Sequence, residues 1–321
     1  MRFSGDFIDN YKEVKVVCPV IIQLAQASSI NTTPPKEEKK SLSAAEIVNK
    51  YALSSDLTSQ KEIEKAYGEY FDSSKKLVIV IPECHNLPNP IKELYDFSYN
   101  EFQLLKKLKN QKLNFLLVEG RLKGKGYNDF CLKNPQNENS LPKALNSGLP
   151  AWSAFDCIYD REVTTLGYSD LDLMTKEFAF QALYFAVYTS MNPKLINDKK
   201  FMFIKINIDG FLSEHPEQKK ALIEYKNELQ SKYIIKHKGN KISFDEKNFW
   251  ADEKALLNQR SIKGTKNALE IMSKNKQKIA VMITGSAHAD LTIKTLKENK
   301  VSYIVLEPKG LKILRKIYPP E

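Results

Sequence analysis

Two patterns of apolar and polar positions alternate along the chain. Short, mostly apolar runs stand at 77–81 (LVIVI), 113–118 (LNFLLV), 201–208 (FMFIKINI), 279–284 (IAVMIT) and 301–308 (VSYIVLEP), with a weaker one at 162–168 (EVTTLGY). Runs of this length, rich in β-branched residues, read as strands buried on both faces. Between them, apolar residues recur at helical spacing, as at Leu104, Leu105 and Leu108. Helices are expected over about 90–109, 150–159, 171–190, 250–274 and 289–299. Ser41 or Ser43 can cap a helix running to about Tyr51, with Glu46 three residues after Ser43 completing a capping box, and a second helix is expected over 59–71. Residues 122–150 are rich in Gly, Asn and Pro and read as a long irregular loop, and 211–248 reads as a polar helical insertion. The alternation predicts an α/β fold: one domain over 43–321, with a mostly parallel sheet flanked by helices.

Residues 1–42 do not pattern as core. A 12-residue, largely apolar run at 16–27 ends in Ala25-Gln26-Ala27, resembling the apolar segment and cleavage site of an export signal. The polar, proline-broken SSINTTPPKEEKKS that follows suits a linker. Before the apolar run, however, Arg2, Lys12 and Lys15 are balanced by Asp6, Asp9 and Glu13, whereas a signal is net basic there. Export is the preferred reading of this targeting segment or linker, and a cytoplasmic protein is the alternative. No stretch reaches 18 uninterrupted apolar residues, so no transmembrane helix is expected.

Composition narrows the function classes. The chain has 321 residues, 42% apolar and 27% charged, which is the balance of a folded protein. Its net charge is +10, but only five of its 49 basic residues are arginines, and the 44 lysines are scattered among 39 acids. Nucleic-acid readers lean on arginine for bidentate contacts, so no nucleic-acid partner is expected and the basicity reads as solvated surface. The four cysteines form no CxxC pair, which removes zinc-ribbon and thioredoxin readings.

The chemistry-bearing residues collect at strand ends. LVIVI runs into Pro82-Glu83-Cys84-His85, LNFLLV into Glu119-Gly120-Arg121, the weaker strand into Tyr168-Ser169-Asp170, and IAVMIT into Gly285-Ser286-Ala287-His288. In open parallel sheets ligands bind at the carboxyl ends of the strands. Two of the four histidines and several carboxylates are therefore expected at one edge. An imidazole there can activate water or bind a metal, a carboxylate can orient it, and an arginine can hold a carboxylate or oxyanion. Cys84 beside His85 invites a thiol-nucleophile reading, but a buried inert cysteine is the stronger expectation. His215 and His237 fall in the polar insertion and are expected to be solvated. The aromatic residues Phe178, Phe180, Tyr184, Phe185 and Tyr188 read as a buried core helix, with an aromatic wall for a flat ligand as the alternative.

These residues, in this order, resemble a superfamily that includes the erythromycin esterases, the ChaN haem-binding proteins, and the TraB/GumN and Tiki proteins. The resemblance spans about 75–310. It rests on Glu83-Cys84-His85 as the first motif, Glu119 in LLVEG, the GYSD element at 167–170, Arg260 in LLNQRSIKGTKNAL, and Gly285 to His288 as the second motif. Pro82 stands where the first motif usually has glycine, and the glycine-containing stretch common after the second motif is absent.

The resemblance implies a hydrolase acting on an amide or ester of a small molecule or peptide. His85, His288, Glu119, Glu83 and Arg260 would be its site, with Asp170 as a lesser member. In this reading His85, Glu119 and His288 would bind a divalent metal such as Mn, Co or Zn, as the Tiki-like branch implies, or would activate water without one. Glu83 would orient His85, and Arg260 would hold a substrate carboxylate or the oxyanion. Two alternatives follow from the same residues: a haem- or iron-binding protein, as the ChaN branch implies, and an inactive scaffold, which Pro82 favours.

Overall fold

Backbone polar groups in a doubly buried segment must pair with neighbouring strands, and four of the apolar runs do this side by side. In a computed structural model, which describes residues 42–84, 92–122, 137–146, 149–159, 161–236 and 242–317, six strands form one sheet. They are β1 (Ile63–Glu69), β2 (Leu77–Glu83), β3 (Phe115–Leu122), β4 (Thr164–Ser169), β7 (Ile279–Gly285) and β8 (Ser302–Pro308). A separate hairpin pairs β5 (Ile234–Lys236) with β6 (Ile242–Phe244). The six-stranded order is β1-β8-β2-β7-β3-β4, parallel throughout except for β1, which runs antiparallel to β8.

The helices are α1 (Ala44–Lys50), α2 (Lys92–Asn110), α3 (Leu141–Asn146), α4 (Ala151–Tyr159), α5 (Leu171–Met191), α6 (Lys199–Glu214), α7 (Lys219–Tyr233), α8 (Glu246–Lys274), α9 (Ala289–Glu298) and α10 (Leu311–Ile317). None of the described helices is long and apolar enough to cross a membrane. The capping box of α1 forms as its sequence predicts: Glu46 N–H donates to Ser43 Oγ and Ser43 N–H donates to Glu46 Oε2.

Strand alternation sorts the core into two layers. On the first face, Leu77, Ile79, Ile81, Leu116, Val118, Val281 and Ile283 pack against α1, α2 and α4. On the second, Val78, Val80, Phe115, Leu117, Ala280, Met282 and Tyr168 pack against α8 and α9. The chain leaves β2 through α2 on the first face and skips one strand to reach β3. It leaves β7 through α9 on the second face and skips one strand the other way to reach β8. β2 and β7 are neighbours, so the edge between their carboxyl ends is a topological switch point.

The chain divides into two compact units. Leu42–Met174 with Ala255–Glu321 carries the sheet, and Thr175–Lys254 is a separate, mainly helical unit, wider than the insertion expected over 211–248. Within the helical unit the aromatic residues of α5 engage other rings. Phe178 stacks on Phe211 at 4.5 Å, Phe180 lies 5.1 Å from Phe249, and Tyr184 lies 5.5 Å from Phe201 and 5.1 Å from Trp250. They form a ring cluster, which is the core reading of this helix.

Several elements differ in kind from their sequence patterns: α3 forms within the stretch 122–150 expected as a loop, and the β5–β6 hairpin within the stretch 211–248 expected as helical. The run 201–208, expected as a strand, lies within α6. Its buried members Phe201, Ile208 and Phe211 recur at helical spacing, while Met202 and Ile206 are 47% and 61% exposed. The segment 59–71, expected as a helix, forms a turn and then β1. Its helix-favouring Glu, Lys and Ala residues yield to the open edge of β8, whose backbone groups need partners. His215, expected in solvent, is mostly buried against Phe211, and His237 lies outside the described residues.

Gly68 makes the edge pairing feasible, because a Cβ there would meet the Tyr303 carbonyl oxygen at 2.2 Å. Gly68→Ala is expected to lower stability by about 1–3 kcal/mol through overpacking against backbone. Gly210→Ala, in α6 where a Cβ meets nothing within 4 Å, is expected to raise it by about 0.5–1 kcal/mol. Denaturant unfolding of the two variants beside the parent chain checks both signs.

Candidate active site

Glu119 anchors the site. It ends the buried part of β3, and strand alternation sends it to the second face with Phe115 and Leu117. Its Oε2 accepts hydrogen bonds from the Gly285 N–H at 2.7 Å and from Thr284 Oγ1 at 3.1 Å, both at the end of β7. Its Oε1 lies 3.3 Å from His288 Nε2 and 3.7 Å from an Arg260 guanidinium nitrogen. All three side chains are largely buried.

His288 reaches this position because the Gly285–His288 turn closes tightly, with the His288 N–H donating to the Gly285 carbonyl at 2.8 Å. His288 occupies the N-cap position of α9, yet its side chain makes no capping hydrogen bond. The imidazole turns instead to Glu119 and to Ser261, whose Oγ lies 2.7 Å from Nδ1. Arg260 and Ser261 come from α8, which presents Arg260, Ser261, Gly264, Asn267 and Ala268 at helical spacing along one side. Gly264 leaves room for the Tyr168 ring, since a Cβ there would stand 3.0 Å from it. Tyr168 donates to the Ile283 carbonyl at 3.0 Å.

Glu119, Tyr168, Arg260, Ser261, Gly264, Thr284 and His288 line a small recess with Ser169, Asp170 and Thr292, with room for about one water. Burial pushes the Tyr168 phenol well above its usual value; Glu119 adds to the shift, and the neighbouring Thr284 opposes it. Burial also pulls the Arg260 guanidinium down, against the opposing effect of Glu119. Asp170 has a second duty there: its Oδ1 accepts from the Leu173 N–H at 3.2 Å and caps α5.

The residues expected as one site are thus only partly together. Glu119, His288 and Arg260 meet directly, and Asp170 lines the same recess. Glu83 does not join them: it follows Leu77, Ile79 and Ile81 to the first face, where it interacts with Glu101 of α2. His85, which Glu83 was expected to orient, lies outside the described residues. The strand runs straight through Pro82 to Glu83, whose carbonyl accepts from the Ser286 N–H at 2.7 Å.

The expected metal set of His85, Glu119 and His288 has two members among the described residues, and those residues contain no group of three metal-ligating side chains. Arg260 beside Oε1 also places a positive charge where a cation would bind. The described arrangement is an ion-paired acid–base cluster. Cys84 packs against Leu94 and Phe97, and its thiol is pushed up to about 11 by burial and by Glu83 and Glu101, as suits an inert cysteine.

Sequence reasoning missed Ser261, Gly264 and Glu101. The first two share a signal, a small side chain at helical spacing beside Arg260 on α8. Glu101 had a signal too, since it stands at helical spacing from Phe97, Leu104, Leu105 and Leu108 on the face that α2 buries. Comparison with protein-family models, curated proteins and solved structures gives no match.

Glu101 generates a pH prediction. Burial, and then the charge of Glu83, raise its carboxyl well above the ordinary 4.5. Between 4.5 and that raised value the folded chain holds a proton that the unfolded chain has released. Its contribution is therefore full below pH 4.5 and is lost as pH rises. Glu101→Gln is expected to match the parent near pH 4.5 and to exceed it in stability at pH 8, as read by unfolding midpoints across the range.

Proposed function

We propose that this chain is a hydrolase in which His288 and Glu119 carry out acid–base chemistry on water attacking an amide or ester. The observation that carries this reading is the 3.3 Å contact between His288 Nε2 and Glu119 Oε1 within this small recess. Both oxygens of Glu119 are engaged by β7, Arg260 and His288, so its role is to orient the imidazole and balance its charge. His288 moves the proton. Arg260 holds a substrate carboxylate or the developing oxyanion.

The recess has room for about one water and is lined mostly by hydroxyls and charged groups. It suits a water held for attack rather than a bulky apolar body. The haem-binding alternative has less support, because the rings that would form its wall pack on one another in the helical unit.

The test is a screen of short peptides and small esters, run with chelator, with Mn, Co or Zn, and with haemin as a binding control. His288→Ala is expected to lower kcat/KM on any substrate found by about 10²–10⁴-fold, the usual worth of a positioned acid–base group. Glu119→Gln, which keeps the shape of the side chain, is expected to lower kcat with little change in KM. Hydrolysis that survives both changes in correctly folded protein would sink the assignment.

A further inference from the structure

α6 divides its apolar residues between two sides. Phe201, Ile208 and Phe211 are buried, whereas Met202 and Ile206, one turn apart on the face turned away from them, are 47% and 61% exposed. In the 3-10 turn Pro193–Asn197 that leads into α6, Ile196 is 41% exposed. The other exposed large apolar residues among the described ones, Tyr99, Ile235, Ile262 and Ile313, lie singly along the chain and need no explanation. Three within 196–206 are a concentration. The stretch is also basic: residues 194–206 carry Lys194, Lys199, Lys200 and Lys205 against one acid, Asp198. Asp209 and Glu214 follow in the second half of α6, where Asp209 pairs with Lys205 at 2.7 Å. Lysines thus stand at the start of the helix and acids toward its end. That order opposes the helix dipole, and the first turn of α6 holds no acid to offset it. Helix stability therefore does not account for the lysines.

We infer that 194–206 is a docking surface for an anionic lipid bilayer, on which the chain lies without spanning it. A bilayer surface meets both features at once. The lysines face headgroup phosphates, and Ile196, Met202 and Ile206 enter the boundary between headgroups and acyl chains. A second copy of the chain meets them less well. Antiparallel α6 helices centred on Ile206 would pair lysines with acids but set Met202 against Gly210, which has no side chain to cover it. Parallel helices would set lysines against lysines. The surface lies wholly in the helical unit and shares no residue with the recess around Glu119.

The test is co-sedimentation of the full-length chain with vesicles of phosphatidylcholine alone and of phosphatidylcholine mixed with phosphatidylglycerol. The parent is expected to bind the anionic vesicles and not the neutral ones, and to bind less as salt rises. Met202→Ser with Ile206→Ser is expected to weaken binding about tenfold or more, through lost apolar insertion. Lys194→Gln, Lys199→Gln and Lys200→Gln together are expected to weaken it by at least about tenfold. A net charge of +10 draws the chain toward any anionic surface, so a control is needed. Lys220, Lys274 and Lys294 are exposed elsewhere, and changing all three to Gln is expected to leave binding close to that of the parent. Circular dichroism checks that each variant is folded.

A parent chain that ignores anionic vesicles overturns the proposal. Binding that survives the change at Met202 and Ile206, or that falls equally in the lysine control, overturns it too. A dimer in solution that the same Met202 and Ile206 change dissociates would assign the face to a second copy instead.

Discussion

The Glu119 carboxylate sits at the end of a strand buried on both faces, where an ionised group is costly unless it is paired and hydrogen-bonded. The surrounding elements meet that requirement from different directions. The end of β7 supplies a backbone N–H and a hydroxyl, α8 supplies a guanidinium, and the turn into α9 supplies an imidazole. Satisfying one carboxylate therefore fixes three separate elements around a recess. The site and the local packing are one construction, and removing Glu119 would leave Arg260 buried without that counter-charge.

The same strand ends carry a second acid on the opposite face, under different rules. Glu83 and Glu101 are each 1% exposed. Two buried carboxyls that feel each other cannot both ionise cheaply, and the Glu101 carboxyl is pushed well above its ordinary value. One face of the sheet thus carries an ion-paired acid and the other an acid crowded by a second carboxyl. Alternation along β2 and β3 is what separates them, since Glu83 keeps step with Ile81 and Glu119 keeps step with Leu117.

The helical unit shows how similar apolar runs reach different ends. FMFIKINI is as apolar as several of the strands but carries Lys205 and Asn207 and lies between polar segments. Its apolar residues sort onto one side of α6, where Phe201 meets Tyr184, and Ile206 is left exposed. At 59–71 the reverse occurs, because β8 offers an edge and Gly68 permits close approach.

Local patterning along the chain is enough for the α/β class, the four doubly buried parallel strands, the capped first helix, and the delivery of Glu119 and His288 to one edge. These follow from mostly apolar runs and from polar residues at their ends, which are local signals. The tertiary structure alone decided which strands neighbour one another and which edges needed a partner. It also decided which side of the sheet each strand-end acid faces, and that α8 brings Arg260 and Ser261 to residues far away in sequence. No local pattern encodes those choices. They depend on a whole sheet being assembled, because a carboxylate's partner and an open strand edge exist only once the neighbouring elements are in place.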